Sequence, residues 1–388
     1  MDLDSYLTEA VEILSNTPFI DGHNDWMHLI RGYYDNKLDE RFGSQRNLAG
    51  HVDLKRLIQG KLGGAFWSVY VDCPQEDNFA DDAIHFEAIR DTLQQIDILL
   101  RIVDLYSGNM ALVHHADDIM RIFSQGKCAS LIGVEGLHQI GNSSSILRIY
   151  HKLGVRYVTL AHNKNNLYAD SATSAAPDHH GLSDEGKALI REMNRIGMII
   201  DLSHTSEAAM LAAIEISAAP VIFSHSSVYG IVPHPRNVPD HVLDKLKDNG
   251  GVIMISFIPN LTHKDAAMAD IDALIDHIVY VGKRIGYDHL GLGSDYDGMA
   301  KAVTGLEDVS KLPRLVARMR SRGISRQDVE KVIGLNVIRV LRAVEDVAKS
   351  LSGEPVLEDK VKQLWGPTMR DFVMREYPDA EPHEGART

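Results

Sequence analysis

The chain has 388 residues, enough for one large domain or two ordinary ones around a substantial core. Hydrophobic residues make up 44 %, as in soluble globular proteins, and 54 acidic against 40 basic residues give a net charge of −14. No basic block stands out, which argues against a nucleic-acid partner, and two cysteines, Cys73 and Cys128, do not make a disulfide scaffold.

The first residues, MDLDSYLTEAVEILSNT, are acidic and amphipathic, unlike a signal peptide with its basic start and apolar core. Short apolar runs then recur: TPFI (17–20), GGAFWSVYV (63–71), ASLIGV (129–134) and VRYVTL (155–160). MIIDL (198–202), PVIFS (220–224), GVIMISF (251–257) and HLGLGS (289–294) follow. Their near-continuous apolar character predicts strands buried on both faces, as in a parallel sheet. Helical spacing lies between them, over 86–106, 183–197, 206–216, 239–250 and 271–286, with Ser183 and Ser206 as N-caps. Pro239 opens and Gly250 closes the fourth of these. Eight strands alternating with helices predict a (β/α)8 TIM barrel, with an open doubly wound sheet as the alternative. We expect one domain over 1–388, with 301–388 mostly helices packed on the barrel, the longest over 324–351. No run approaches the ~20 apolar residues of a membrane span. The C-terminal PDAEPHEGART carries no lipid-anchor signal, so a cytoplasmic protein without a membrane anchor is expected.

In a barrel of this kind, functional groups gather at the C-terminal ends of the strands. The residues there are His23 and Asp25, Glu135, His162, His204, His225 and Asp295. A lone histidine after a strand is more often a packing residue than a ligand, but barrel closure brings all these ends to one rim. His23 and Asp25, two apart, would share a face of their strand, with Asn24 pointing away. A bridging Glu135 would leave His204 and His225 for a second ion. Imidazole and carboxylate donors without thiolate suit Zn2+, with Mn2+, Co2+ or Fe2+ as alternatives. Two such ions roughly 3.5 Å apart would acidify a shared water and polarise a carbonyl. Gly291 and Gly293 read as close packing rather than a nucleotide loop, and the sequons at Asn142 and Asn260 as chance matches. His28, His138 and His180 read as surface or supporting histidines, and Trp26 and Tyr296 equally as pocket or core.

DGHND, GVEG, His162-x-x-Asn165-x-x-x-x-Asp170, DLSH, FSHS, RNVPD and GSDYDG, in this order, resemble the membrane dipeptidase (renal dipeptidase) family over about residues 18–345. The resemblance implies a metal-dependent amidohydrolase-type barrel, two zinc ions per chain, dipeptide hydrolysis and a homodimer. It implies that His23 and Asp25 hold one zinc, His204 and His225 the other, with Glu135 between them. His162 would contact the scissile carbonyl or the tetrahedral intermediate, and Arg236 would bind substrate. Asp295 would act near the substrate amino group, as proton shuttle or amine anchor. Cys73 matches a cysteine that is disulfide-bonded in secreted relatives, but Lys164 stands where its partner would be, so no bridge is expected.

The expected reaction is attack of a metal-bridging hydroxide on a dipeptide carbonyl, with Cys-Gly units of glutathione conjugates among the substrates. The alternative is another binuclear amidohydrolase acting on lactones, β-lactams or cyclic amides. A silent scaffold on the same fold would have lost ligands, and all five are present.

Overall fold

The computed structural model describes residues 3–43, 47–76, 78–361 and 364–381. Two compact units divide the chain, Met1–Leu357 and Glu358–Thr388; in the second, the described residues form a helix over Pro367–Glu376.

The first unit is built on nine parallel strands. They are β1 (Phe19–Asn24), β2 (Leu62–Ser68), β3 (Met110–Leu112), β4 (Cys128–Glu135), β5 (Val155–Thr159), β6 (Ile199–Asp201), β7 (Ile222–Ser226), β8 (Val252–Ile255) and β9 (Leu290–Leu292). Eight of them pair in the order β2-β1-β9-β8-β7-β6-β5-β4, and pairing of β2 with β4 closes the ring. These eight are the eight apolar runs, and the expected (β/α)8 barrel is the fold. Every residue of the eight is buried, because the lumen lies on one face and helices on the other. β3 was not foreseen; it pairs with Cys128, Ala129 and Ser130 of β4, below the point where β5 takes over at Ile132.

The caps behave as read. Ser183 and Ser206 accept the Gly186 and Ala209 amides, and Gly250 ends its helix in the left-handed conformation. The expected long helix over 324–351 is instead two α-segments, Arg326–Glu330 and Asn336–Ser350, joined by a π-turn at Lys331–Leu335. Gly334 sits in that turn, where a Cβ would lie 2.2 Å from the Pro18 carbonyl oxygen, so the widened turn lets the helix press against the chain entering β1.

The glycines of GLGSDYDG serve packing, as expected. A Cβ on Gly293 would lie 1.8 Å from the Ser224 carbonyl oxygen at the end of β7. Gly293→Ala should therefore force the strands apart and destabilise the barrel by about 1–3 kcal/mol, read as a lower urea midpoint. An unchanged midpoint would show that the strands yield freely there.

Candidate metal centre and active site

The side chains singled out at the strand ends converge on one buried cluster. His23 closes on it from β1, Glu135 is the last residue of β4, and His225 lies in β7. His162, His204 and Asp295 come from the loops after β5, β6 and β9. All six, with Asp25 and Arg236, are at most 9 % exposed, so their charges face one another rather than water. Asp25 is not part of β1; it lies one residue beyond, as N-cap of the helix Trp26–Tyr34. Its Oδ2 still reaches His23 Nε2 at 3.1 Å. Asn24 turns away, bonding Asp21 and the Trp26 amide.

Glu135 is at the centre. Its Oε1 lies 3.0 Å from His204 Nε2, 3.2 Å from His225 Nε2 and 3.8 Å from His162 Nε2. Its Oε2 lies 3.5 Å from His23 Nε2, and Asp295 Oδ1 is 3.8 Å from the same nitrogen. Three overlapping triads could hold a metal ion: His23, Glu135 and His225; Glu135, His162 and His204; His23, Asp25 and Asp295.

The protonation states fit that use. Burial works against ionisation of Glu135, but the surrounding His23, His162, His204 and His225 hold its carboxyl well below the usual range. Burial first, then Arg236 and His162, push His204 well down; burial, His23 and Arg236 do the same for His225. Metal ligands must be neutral imidazoles and ionised carboxylates. His23 goes the other way: burial opposes its charge, but Tyr157, Asp25 and Glu135 raise its pKa well above normal. Its proton is one that a cation among these carboxylates would displace. Asp295 is raised well above normal by burial and by Asp25.

Supporting bonds orient the rings. Ser224 Oγ donates to Asp201 Oδ2 at 2.7 Å, so its oxygen receives the proton of His225 Nδ1 at 2.8 Å. That leaves His225 Nε2 as a bare lone pair, facing His204 Nε2 at 3.0 Å and Glu135 Oε1. Asp201 is filled by donors from Thr159, Ser203 and Ser224. His23 Nδ1 meets Tyr157 Oη at 2.8 Å. Tyr157 fits because Gly133 on β4 is bare; a Cβ there would lie 2.2 Å from the ring. Gly298 is equally required, since a Cβ would lie 2.4 Å from Asp25 Oδ2 and 2.5 Å from Asp295 Oδ1. Asp25 Oδ1 and His204 Nδ1 are buried without a hydrogen-bond partner among the described residues. Lone pairs set against lone pairs, an orphaned carboxylate oxygen and a space kept open by glycine fit a binuclear divalent-metal centre with nitrogen and oxygen donors.

His204 and Asp295 have φ of +67° and +61°, a region that costs a residue with a Cβ about 1–3 kcal/mol and recurs at functional sites. Arg236 does not pair with Asp240, which binds Tyr280 and Arg284 instead. Its Nη2 donates to the His225 carbonyl oxygen at 3.2 Å, and its buried Nε has no partner among the described residues.

Trp26 and Tyr296 are wholly buried core residues. His138 is buried and bonds the Val71 carbonyl oxygen, and His180 is exposed. His28 is half-buried, edge-on to Tyr70, whose ring lies 4.6 Å from that of His162. Cys73 and Cys128 are free, and Lys164 Nζ donates to the Gln75 carbonyl oxygen near Cys73. Tyr157, Ser224 and Asp201 were not anticipated. The one available signal was Asp201, a carboxylate inside the apolar run MIIDL.

Residues 7–354 match the model of the membrane dipeptidase family, peptidase family M19. The chain is 65 % identical to dipeptidase tcpJ of Claviceps purpurea over 93 % of its own length and 85 % of that protein's. It is 47 % identical to dipeptidase verJ of Clonostachys rogersoniana, over 96 % of both. It also resembles a metallo peptidase from Rhodobacter sphaeroides, solved with a phosphinate mimic of the dipeptide L-Ala-D-Ala. That likeness has a TM-score of 0.75 and 25 % identity, covering 85 % of this chain and 99 % of that one. A closed barrel, a buried histidine and carboxylate cluster at its rim and a family match over most of the chain agree: this protein belongs to the membrane dipeptidase family.

Proposed function

We propose that the chain hydrolyses dipeptides at a binuclear divalent-metal centre, zinc being the first choice. The observation that carries the reading is Glu135, whose two oxygens face imidazoles from four different strand ends. His23 and Asp25 are assigned to one ion and His204 and His225 to the other, with Glu135 shared. When bound, the ions supply Lewis acidity and an acidified water. His162, at the edge of the cluster, donates toward the scissile carbonyl oxygen. Arg236 clamps the C-terminal carboxylate with its guanidinium, whose buried Nε has no partner among the described residues. Asp295 serves the amino end, as amine anchor or as carrier of the proton to the leaving nitrogen. Recognition of both termini accounts for dipeptides rather than longer chains.

The dipeptide mimic bound by the Rhodobacter protein and the names of the fungal relatives support this substrate class. Two cavities of about 550 and 480 Å³ meet at Cys73, Pro74 and Glu76, beside Tyr70 and His138. An S-substituted Cys-Gly belongs to the same substrate class; neither cavity is lined by a residue of the cluster, so neither fixes the size of the side chain. Among the described residues no helix is long and apolar enough to cross a membrane. A homodimer acting in the cytoplasm completes the reading, and the dimer rests on the family resemblance.

Metal quantification coupled to a substrate panel tests it. About two ions per chain are expected, with hydrolysis of dipeptides but not of lactones or hydantoins. Stripping the metal with a chelator should abolish activity and lower Tm, because an ion held only by the folded state stabilises it; zinc or manganese should restore both. Fewer than one ion per chain, with no activity after metal addition, would sink the proposal.

A further inference from the structure

The loop between β5 and the helix Asp184–Ile196 contains a buried carboxylate that no step above uses. Asp170 is 1 % exposed. Its Oδ1 accepts from the Asp178 and His179 amides at 2.9 and 3.1 Å, and its Oδ2 from the Gly181 amide at 2.7 Å. Its own amide donates to the Gly181 carbonyl oxygen at 3.0 Å. The far arm of the loop is thus folded back onto residue 170.

The other edge of the same stretch grips two histidines of the metal cluster. Ser171 Oγ donates to the His162 carbonyl oxygen. The Ala172 amide donates to the His204 carbonyl oxygen at 2.7 Å, and the Ser206 amide to the Asp170 carbonyl oxygen at 2.9 Å. Ser171 and Thr205 form an antiparallel bridge. His204 is held with φ at +67°, where a side chain is disfavoured, so bonds from outside its own segment must keep it there.

We infer that Asp170 is a positioning residue: by folding the 163–182 loop onto itself, it presses residues 171 and 172 against the backbones of His162 and His204. It thereby sets the His204 imidazole beside Glu135. Asp170 touches neither substrate nor metal and acts through these two histidines. The inference rests on the proposed metal centre.

The test uses the full chain. Asp170→Ala removes the acceptors. Asp170→Asn keeps one oxygen and turns an amide group toward a backbone N–H. Ala172→Pro deletes the donor to His204 while leaving the carboxylate contacts in place. Metal content after dialysis, the chelator concentration that strips the ions, kcat, KM and Tm are measured for each. Metal affinity should weaken about 10- to 100-fold in Asp170→Ala and Ala172→Pro. Asp170→Asn should fall between, kcat should drop while KM stays nearly constant, and excess zinc should recover part of the lost rate. Should Asp170→Ala not fold, the other two variants decide. Wild-type metal affinity and kcat in the variants that fold, with only Tm lowered, would overturn the inference and leave the proposed function standing. A wild-type chain that binds no metal would overturn both.

Discussion

Glu135→Gln is expected to abolish dipeptide hydrolysis, with kcat/KM reduced by at least about 10³, or roughly 4 kcal/mol of transition-state stabilisation. The reason is the arrangement around one carboxylate. Oε1 faces His204 and His225 at 3.0 and 3.2 Å, while Oε2 faces His23 at 3.5 Å. An amide has one acceptor oxygen where the carboxylate has two, and its NH2 would point donor hydrogens into space that a cation needs. It also removes the negative charge that offsets two divalent ions in a site shielded from water. Metal content should therefore fall with activity, and the rise in Tm that wild-type protein shows on adding zinc should shrink. The far-UV CD spectrum should stay that of the barrel, because Glu135 is held by cluster side chains. Near wild-type turnover with two bound ions would remove Glu135 from the shared position.

The barrel was legible because its strands are buried on both faces, so each appears as an unbroken apolar run rather than an alternation. β3 lies outside the closed ring, and of its three residues only Met110 is fully buried, so burial on both faces does not mark it. The cluster was legible because closure of the ring turns sequence-distant strand ends into neighbours. That argument located the seven rim residues but misjudged the local reason for Asp25, which reaches the cluster from the N-cap position of a helix and not along the strand. The supporting groups were harder to see. Tyr157 sits inside VRYVTL like any core residue, and only the strand register sets its hydroxyl beneath His23, across a bare Gly133. Asp170 was visible as a motif residue, but its role depends on backbone bonds within a loop, which no residue pattern reports.

Arg236→Ala carries the second large effect. The guanidinium is buried, its pKa lowered by burial and raised back by Asp295 and Glu135, so both carboxylates help to keep it charged. Among the described residues its guanidinium makes one bond to protein, from Nη2 to the His225 carbonyl oxygen. The unpartnered Nε lies in a place that excludes solvent. A buried cationic donor left unpaired is costly, and a carboxylate accepting two N–H bonds in parallel removes that cost while gaining charge-assisted bonds. Losing such a clamp should cost about 3–5 kcal/mol, or 10²- to 10³-fold or more in kcat/KM, mostly through KM. Arg236→Lys should recover only part, since an ammonium cannot match both oxygens. The decisive comparison uses a dipeptide amide, which lacks the C-terminal carboxylate. Wild-type enzyme should discriminate strongly against it, and Arg236→Ala should treat acid and amide almost alike. If the variant lost activity yet kept the full preference for the free acid, the carboxylate would be held elsewhere. Arg236 would then serve to brace the β7 strand end through the His225 carbonyl.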